Sequence, residues 1–121
     1  MRWFENEIEA KYEATGGCLE IIADVLQKWF EDPKFYGCAF INTVTAGGSL
    51  NSEPFEIPRE QKEHLRRFIE QLAVKMGLEH PELAAPAVVL VIERTIVRIQ
   101  VAGNLKETQT ARLLFQCLQH A

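Results

Sequence analysis

The chain has 121 residues, 47% of them hydrophobic and 25% charged, with a formal net charge of −4 and a sequence pI ≈ 5.4. That length supports one domain with a sizeable core. The acidic balance excludes a surface that grips nucleic acid by itself, since phosphate binding needs a concentrated basic footprint.

From the N-terminus, Arg2 to Ala14 places Phe4, Ile8 and Tyr12 four apart, among Glu5, Glu7, Glu9 and Glu13. That spacing predicts a helix with one apolar ridge and an otherwise acidic surface. Thr15-Gly16-Gly17 breaks it. A second helix is expected from about Cys18 to Glu31, where Cys18, Ile22, Val25, Leu26, Trp29 and Phe30 follow helical spacing. Asp32-Pro33 ends it, because proline disfavours the helical conformation in the residue before it.

A tight turn at Gly37 and a short helix over Ala39 to Ala46, stopped by Gly47-Gly48, are expected next. Ser49 to Ile57 reads as a loop. Pro58 to Met76 carries the clearest helical signal, an unbroken stripe of Leu65, Phe68, Ile69, Leu72, Ala73 and Met76, with proline suited to the first turn and Gly77 to the stop. His64 borders that stripe, and Arg66-Arg67 sits among alternating charges that mark a solvated face.

The longest apolar stretch runs from Pro81 to Asn104, and its first half is apolar on nearly every face. The β-branched run Thr95 to Val101 carries a strand signal. Helix is favoured by the uninterrupted length of Ala87 to Ala102, and by Val88, Ile92, Thr95, Ile96 and Ile99 sharing one arc. Pro86 is expected to kink this helix or mark its effective start. A helix apolar all round must be buried from every side, which one small domain hardly achieves. Lys106 to Gln119 predicts a last helix with two apolar faces, one of Ala111, Leu114, Phe115 and Leu118 and one of Thr110, Leu113 and Cys117. The expected fold is a single all-α domain of about six helices over residues 1–121, the last two pairing across a dimer axis. The partner-facing residues are expected to be Ile92, Thr95, Ile99, Thr110, Leu113 and Cys117.

Cys18, Cys38 and Cys117 form an odd set without CxxC spacing, which suits reduced thiols in a soluble cytoplasmic protein. A Cys38–His64 metal site has no supporting spacing, and neither metal nor cofactor is expected. The apolar run ending at Ile92 meets Glu93 and Arg94 too soon for a membrane span. No catalytic motif is present: no GxSxG, no Gly-rich phosphate loop, no HExxH.

The run Trp29-Phe30-Glu31-Asp32-Pro33-Lys34-Phe35-Tyr36-Gly37-Cys38-Ala39-Phe40-Ile41-Asn42 resembles the string that joins two core helices in many TetR/AcrR-type transcriptional regulators. The order downstream is similar too: a helix with His64, then Met76-Gly77-Leu78, a Pro81-to-Ala84 opening, Ile96 to Gly103, and a final helix. The resemblance implies a ligand-sensing domain that homodimerises through a four-helix bundle of its last two helices. It would hold a small effector in a mostly apolar pocket, with Trp29, Phe40, Asn42, His64, Phe68 and Arg94 as candidates.

Operator DNA would be bound only through a helix-turn-helix domain that has no counterpart here. Residues 1–14 would be the C-terminal part of the helix connecting to it. Dimeric readers of that kind need half-sites about 34–36 Å apart, so a small tilt of the connecting helix suffices to release DNA. Many relatives carry a small residue where this chain has Arg94. The chain also fits a standalone helical dimer, or a truncated competitor that titrates full-length subunits. An enzyme with Cys38 as nucleophile and His64 as base is the remaining, least favoured alternative.

Overall fold

A computed structural model describes residues 2–31, 57–102 and 106–121, with backbone alone at 100–102. They form five helices: α1 (Arg2–Thr15), α2 (Glu20–Glu31), α3 (Arg59–Lys75), α4 (Pro81–Ala102) and α5 (Glu107–Gln119). The described residues contain no strand. The short helix expected over Ala39 to Ala46 lies outside them.

Two glycines stop helices as their positions suggest. Gly16 takes φ +62° after α1, and its N–H reaches the Tyr12 carbonyl at 2.7 Å. At the end of α3, Gly77 takes φ +77°, Gly77 N–H bonds to Val74 O at 3.0 Å and Leu78 N–H to Ala73 O at 3.0 Å. That crossed pair closes the last turn and satisfies carbonyls that would otherwise be orphaned. A side chain with a Cβ strains at such φ values, so glycine is required rather than convenient.

The strand signal of Thr95 to Val101 loses to context, because all of that run is helical. Thr95 meets the cost of its burial locally: its hydroxyl donates to the Val91 carbonyl at 2.7 Å. Nor does Pro86 open the helix. Helix α4 begins at Pro81, five residues earlier, and carries Pro86 within it on an exposed position. The His80 carbonyl accepts from Leu83 and Ala84 N–H at 3.1 and 2.9 Å and starts the first turn.

Ion pairs and hydrogen bonds between helices give the packing directions. Glu7–Lys28 and Lys11–Asp24 make α1 and α2 an antiparallel hairpin. Glu5–His64 and Tyr12–Lys75 set α1 parallel to α3. Lys62–Glu93 joins α3 to the antiparallel α4. Arg98–Glu107 ties α4 to α5, and Gln27–Thr108 with Arg112–Asp24 runs α5 back along α2. The core between them is built from Phe4, Ile8, Ile22, Leu26, Leu65, Ile69, Val88, Ile92, Ile96, Ile99 and Phe115, all at 4% exposure or less.

Ile92→Ala should cost about 2–5 kcal/mol in urea unfolding, because its site is fully enclosed and a cavity would remain. Val74, 61% exposed on α3, should tolerate alanine within about 0.5 kcal/mol.

Candidate functional site

Among the described residues, the candidate ligand residues Trp29, His64, Phe68 and Arg94 have different surroundings. Trp29 and Phe68 are half-buried against the margin of the core. The Trp29 ring stacks on Phe30 with centroids 5.3 Å apart and tilts against Phe4 at 5.8 Å. The Phe4 contact ties α1 to α2 and the Phe30 contact fixes the indole along α2, so this indole has a packing role. Phe40 and Asn42 lie outside the described residues. His64 sits at the surface between α1 and α3, its side chain 71% exposed, with Nε2 3.0 Å from Glu5 Oε1. Arg94 points off the outer side of α4, away from the core arc. Cys38 also lies outside the described residues, while Cys18 and Cys117 are free thiols. Among the described residues, no group of three or more His, Cys, Asp or Glu side chains could hold a metal ion.

The expected partner-facing residues divide between the two helices. Thr110, Leu113 and Cys117 are exposed on α5, as their second apolar face implies. Ile92, Thr95 and Ile99 are not available to a partner: they are 0%, 6% and 0% exposed, enclosed by the protomer itself. This corrects the assignment for α4. The arc shared by Val88, Ile92, Thr95, Ile96 and Ile99 is real, but it faces inward. What α4 leaves outside is Glu82, Leu83, Pro86, Leu90, Arg94 and Arg98.

Leu83 and Leu90 are 65% and 68% exposed, and on the neighbouring helix Leu113 and Leu114 are 59% and 44% exposed. Leu90 and Leu114 line one groove between these two antiparallel helices, Leu83 borders a recess with Leu118, and Leu113 is exposed next to Leu114 in the chain. Single exposed leucines need no explanation, but a contiguous group marks a surface that binds something. A groove of ≈ 220 Å³ runs between the helices, walled by Leu90, Val91, Ala111 and Leu114. A recess of ≈ 150 Å³ lies where Leu83 and Ala84 meet Leu118.

Charge gathers at one end of this face. Arg98 donates to Glu107 at 2.8 and 3.3 Å, and that hydrogen bond raises the Arg98 pKa above the ordinary guanidinium value. Arg94 lines the same groove. The face is therefore polarised, aliphatic towards the start of α4 and basic towards its end.

A polar cluster behind this face joins three helices. Arg112 of α5 donates to Asp24 of α2 and lies 3.6 Å from Glu20. The Asp24 hydrogen bond, with its charge, raises the Arg112 pKa. The second Asp24 oxygen lies 3.8 Å from Lys11 of α1. Gln119 adds a side-chain cap, its Oε1 accepting the Leu19 N–H at 2.8 Å just ahead of α2. Elsewhere, Arg66 bonds Glu63 and Glu70 at 2.7 and 3.0 Å on the solvated side of α3, and Arg66 holds the Glu63 carboxyl below the usual range.

Residues with no separate sequence signal complete the picture. Leu83 and Leu90 belong to a segment so uniformly apolar that periodicity cannot say which side faces out. Glu5 is buried, although it looks like one more solvated acid of α1. Its only cue is position, one residue after Phe4 on the flank of the ridge.

Among the described residues no helix is long and apolar enough to cross a membrane. Comparison with family models, with curated proteins and with solved structures finds no match.

Asp24→Ala removes the carboxylate shared by Arg112 and Lys11, whose side chains and its own are about a third exposed or more. The expected loss is about 1 kcal/mol in urea unfolding, smaller at high salt, as for a partly solvated ion pair.

Proposed function

We propose that this chain is the effector-binding and homodimerisation domain of a TetR/AcrR-like transcriptional regulator. The observation that carries this reading is the apolar face shared by α4 and α5, the last two helices, centred on Leu83, Leu90, Leu113 and Leu114. Two copies meeting on that face would form a four-helix bundle and remove those leucines from water, each burial worth about 1.5–3 kcal/mol. The string from Trp29 to Asn42 and the order of elements after it support the family resemblance.

In this reading α1 is the lower part of the helix leading to a DNA reader. It rests between α2 and α3, which makes its tilt sensitive to anything that spreads those two helices. A small molecule among Trp29, Phe40, Asn42, His64 and Phe68 would act in that way, and only by its differential affinity for the tilted state. Arg94 leaves the pocket set in this reading, because it lies on the outer face with the dimer contact. The protein acts on DNA only through its reader, and its own chemistry is binding rather than catalysis.

A standalone helical dimer rests on the same apolar face but lacks the effector. A thermal-shift screen of small apolar, aromatic and cationic compounds separates the two, since selective binding raises the melting temperature by mass action.

Light scattering at tens of micromolar tests the dimer. The expected mass is twice the 13.8 kDa of one chain. Leu90→Glu or Leu113→Glu should weaken association about 30-fold or more, as for a central contact worth about 2 kcal/mol. A wild-type protein that stays at the mass of one chain would contradict the proposal.

A further inference from the structure

Glu5 is a buried carboxylate at the seam between α1 and α3, 8% exposed. A carboxylate offers about four acceptor positions. Among the described residues, Oε1 has one partner, His64 Nε2 at 3.0 Å, and Oε2 is buried without a hydrogen-bond partner. Around it the recess at this end of α1 is polar, lined by Arg2, Asn6, Glu60, Gln61 and His64. The same end of α1 is held down by apolar burial, Phe4 at 2% and Ile8 at 0% exposure. Burial of the ridge and burial of the acid therefore pull in opposite directions.

The two ends of the helix differ. Near Thr15, Tyr12 donates its hydroxyl to the Lys75 carbonyl at 3.2 Å and the chain turns at Gly16. Near Arg2 the opposing carboxylate is built in. An orphaned buried acceptor carries the full cost of its lost hydration, whereas an apolar residue of similar shape carries none.

We infer that Glu5 is a release element: it destabilises the seated position of α1 at its Arg2 end, so that this end lifts while the Tyr12–Gly16 end acts as the pivot. The regulatory meaning rests on the proposed function, in which the Arg2 end leads towards the DNA reader. Lifting returns Oε2 to water and gives up the cover on Phe4. A lever balanced in this way responds to a small bias from a bound effector, which a fully satisfied seam would resist.

The test uses Glu5→Met, an apolar near-isostere with similar helix propensity, Glu5→Gln, His64→Ala and the Glu5→Met/His64→Ala pair, at one fixed protein concentration. Glu5→Met should raise the melting temperature by about 3 °C or more and slow amide exchange over residues 3–8 about tenfold. Glu5→Gln, which removes the charge and keeps the shape, should shift both in the same direction. His64→Ala should lower the melting temperature in the wild type, where it leaves the acid without any partner, and not in the Glu5→Met background. If Glu5→Met and Glu5→Gln lower the melting temperature, Glu5–His64 is an ordinary stabilising pair and the inference fails. A rise without slower exchange at residues 3–8 also overturns it, because the gain would not belong to α1. None of these readouts needs effector, DNA or a second copy, so they separate this inference from the proposed function.

Discussion

Helix α4 buries one broad apolar arc, and the other helices are arranged to cover it. Its residues Ala84, Ala85, Val88, Val89, Ile92, Thr95, Ile96 and Ile99 are all buried, an arc too wide for one neighbour to cover. Helix α3 runs antiparallel along one flank and α5 along the other, tied by ion pairs at the middle of α4, Lys62–Glu93, and towards its Ala102 end, Arg98–Glu107. What remains is the outer strip with Leu83, Leu90, Arg94 and Arg98, next to Leu114 of α5. Water meets that strip in the single chain. A second copy is its proposed cover, because the same strip repeated on a two-fold axis is self-complementary.

The same arrangement determines how α1 is held. Helices α2 and α5 are joined along their length by polar contacts at Leu19–Gln119, Asp24–Arg112 and Gln27–Thr108. That makes them a stable wall. Helix α1 leans on the wall through the Phe4–Trp29 contact and two ion pairs, Glu7–Lys28 and Lys11–Asp24. Such exposed pairs contribute little individually. Apolar burial of Phe4 and Ile8 thus carries most of the attachment, with Glu5 working against it. A helix held mainly by a few side chains at one seam is suited to moving as a unit, which is what a connecting helix in a DNA-releasing protein requires.

Much of this fold could be read from the residues. Gly16 and Gly77 end helices because only glycine takes positive φ cheaply, and the stripe from Leu65 to Met76 has the period of a helix. The β-branched run from Thr95 to Val101 was ambiguous by propensity, and length decided it correctly. Direction was harder. Between Ala84 and Ile92 every face is apolar, so spacing groups Ile92, Thr95 and Ile99 on one arc without saying whether that arc meets the protomer or a partner. On α5, Gln109, Arg112 and Gln116 break the apolar pattern into two faces, and Thr110, Leu113 and Cys117 of the second are exposed. Glu5 has only its position beside Phe4 to mark it. Its burial depends on His64, 59 residues away, and on the parallel seating of α1 against α3.

The central claim is that the strip on α4 and α5 is covered by a second copy. Cys117 lies one turn beyond Leu113 on that strip and is exposed in the single chain. Its reactivity with a bulky maleimide, followed in a Cys18→Ser/Cys38→Ser background across protein concentration, reports directly on the cover. Labelling is expected to be fast at nanomolar concentration and progressively slower as the dimer forms at micromolar concentration, with Leu90→Glu restoring fast labelling throughout. A labelling rate independent of concentration in the unsubstituted strip would contradict the claim.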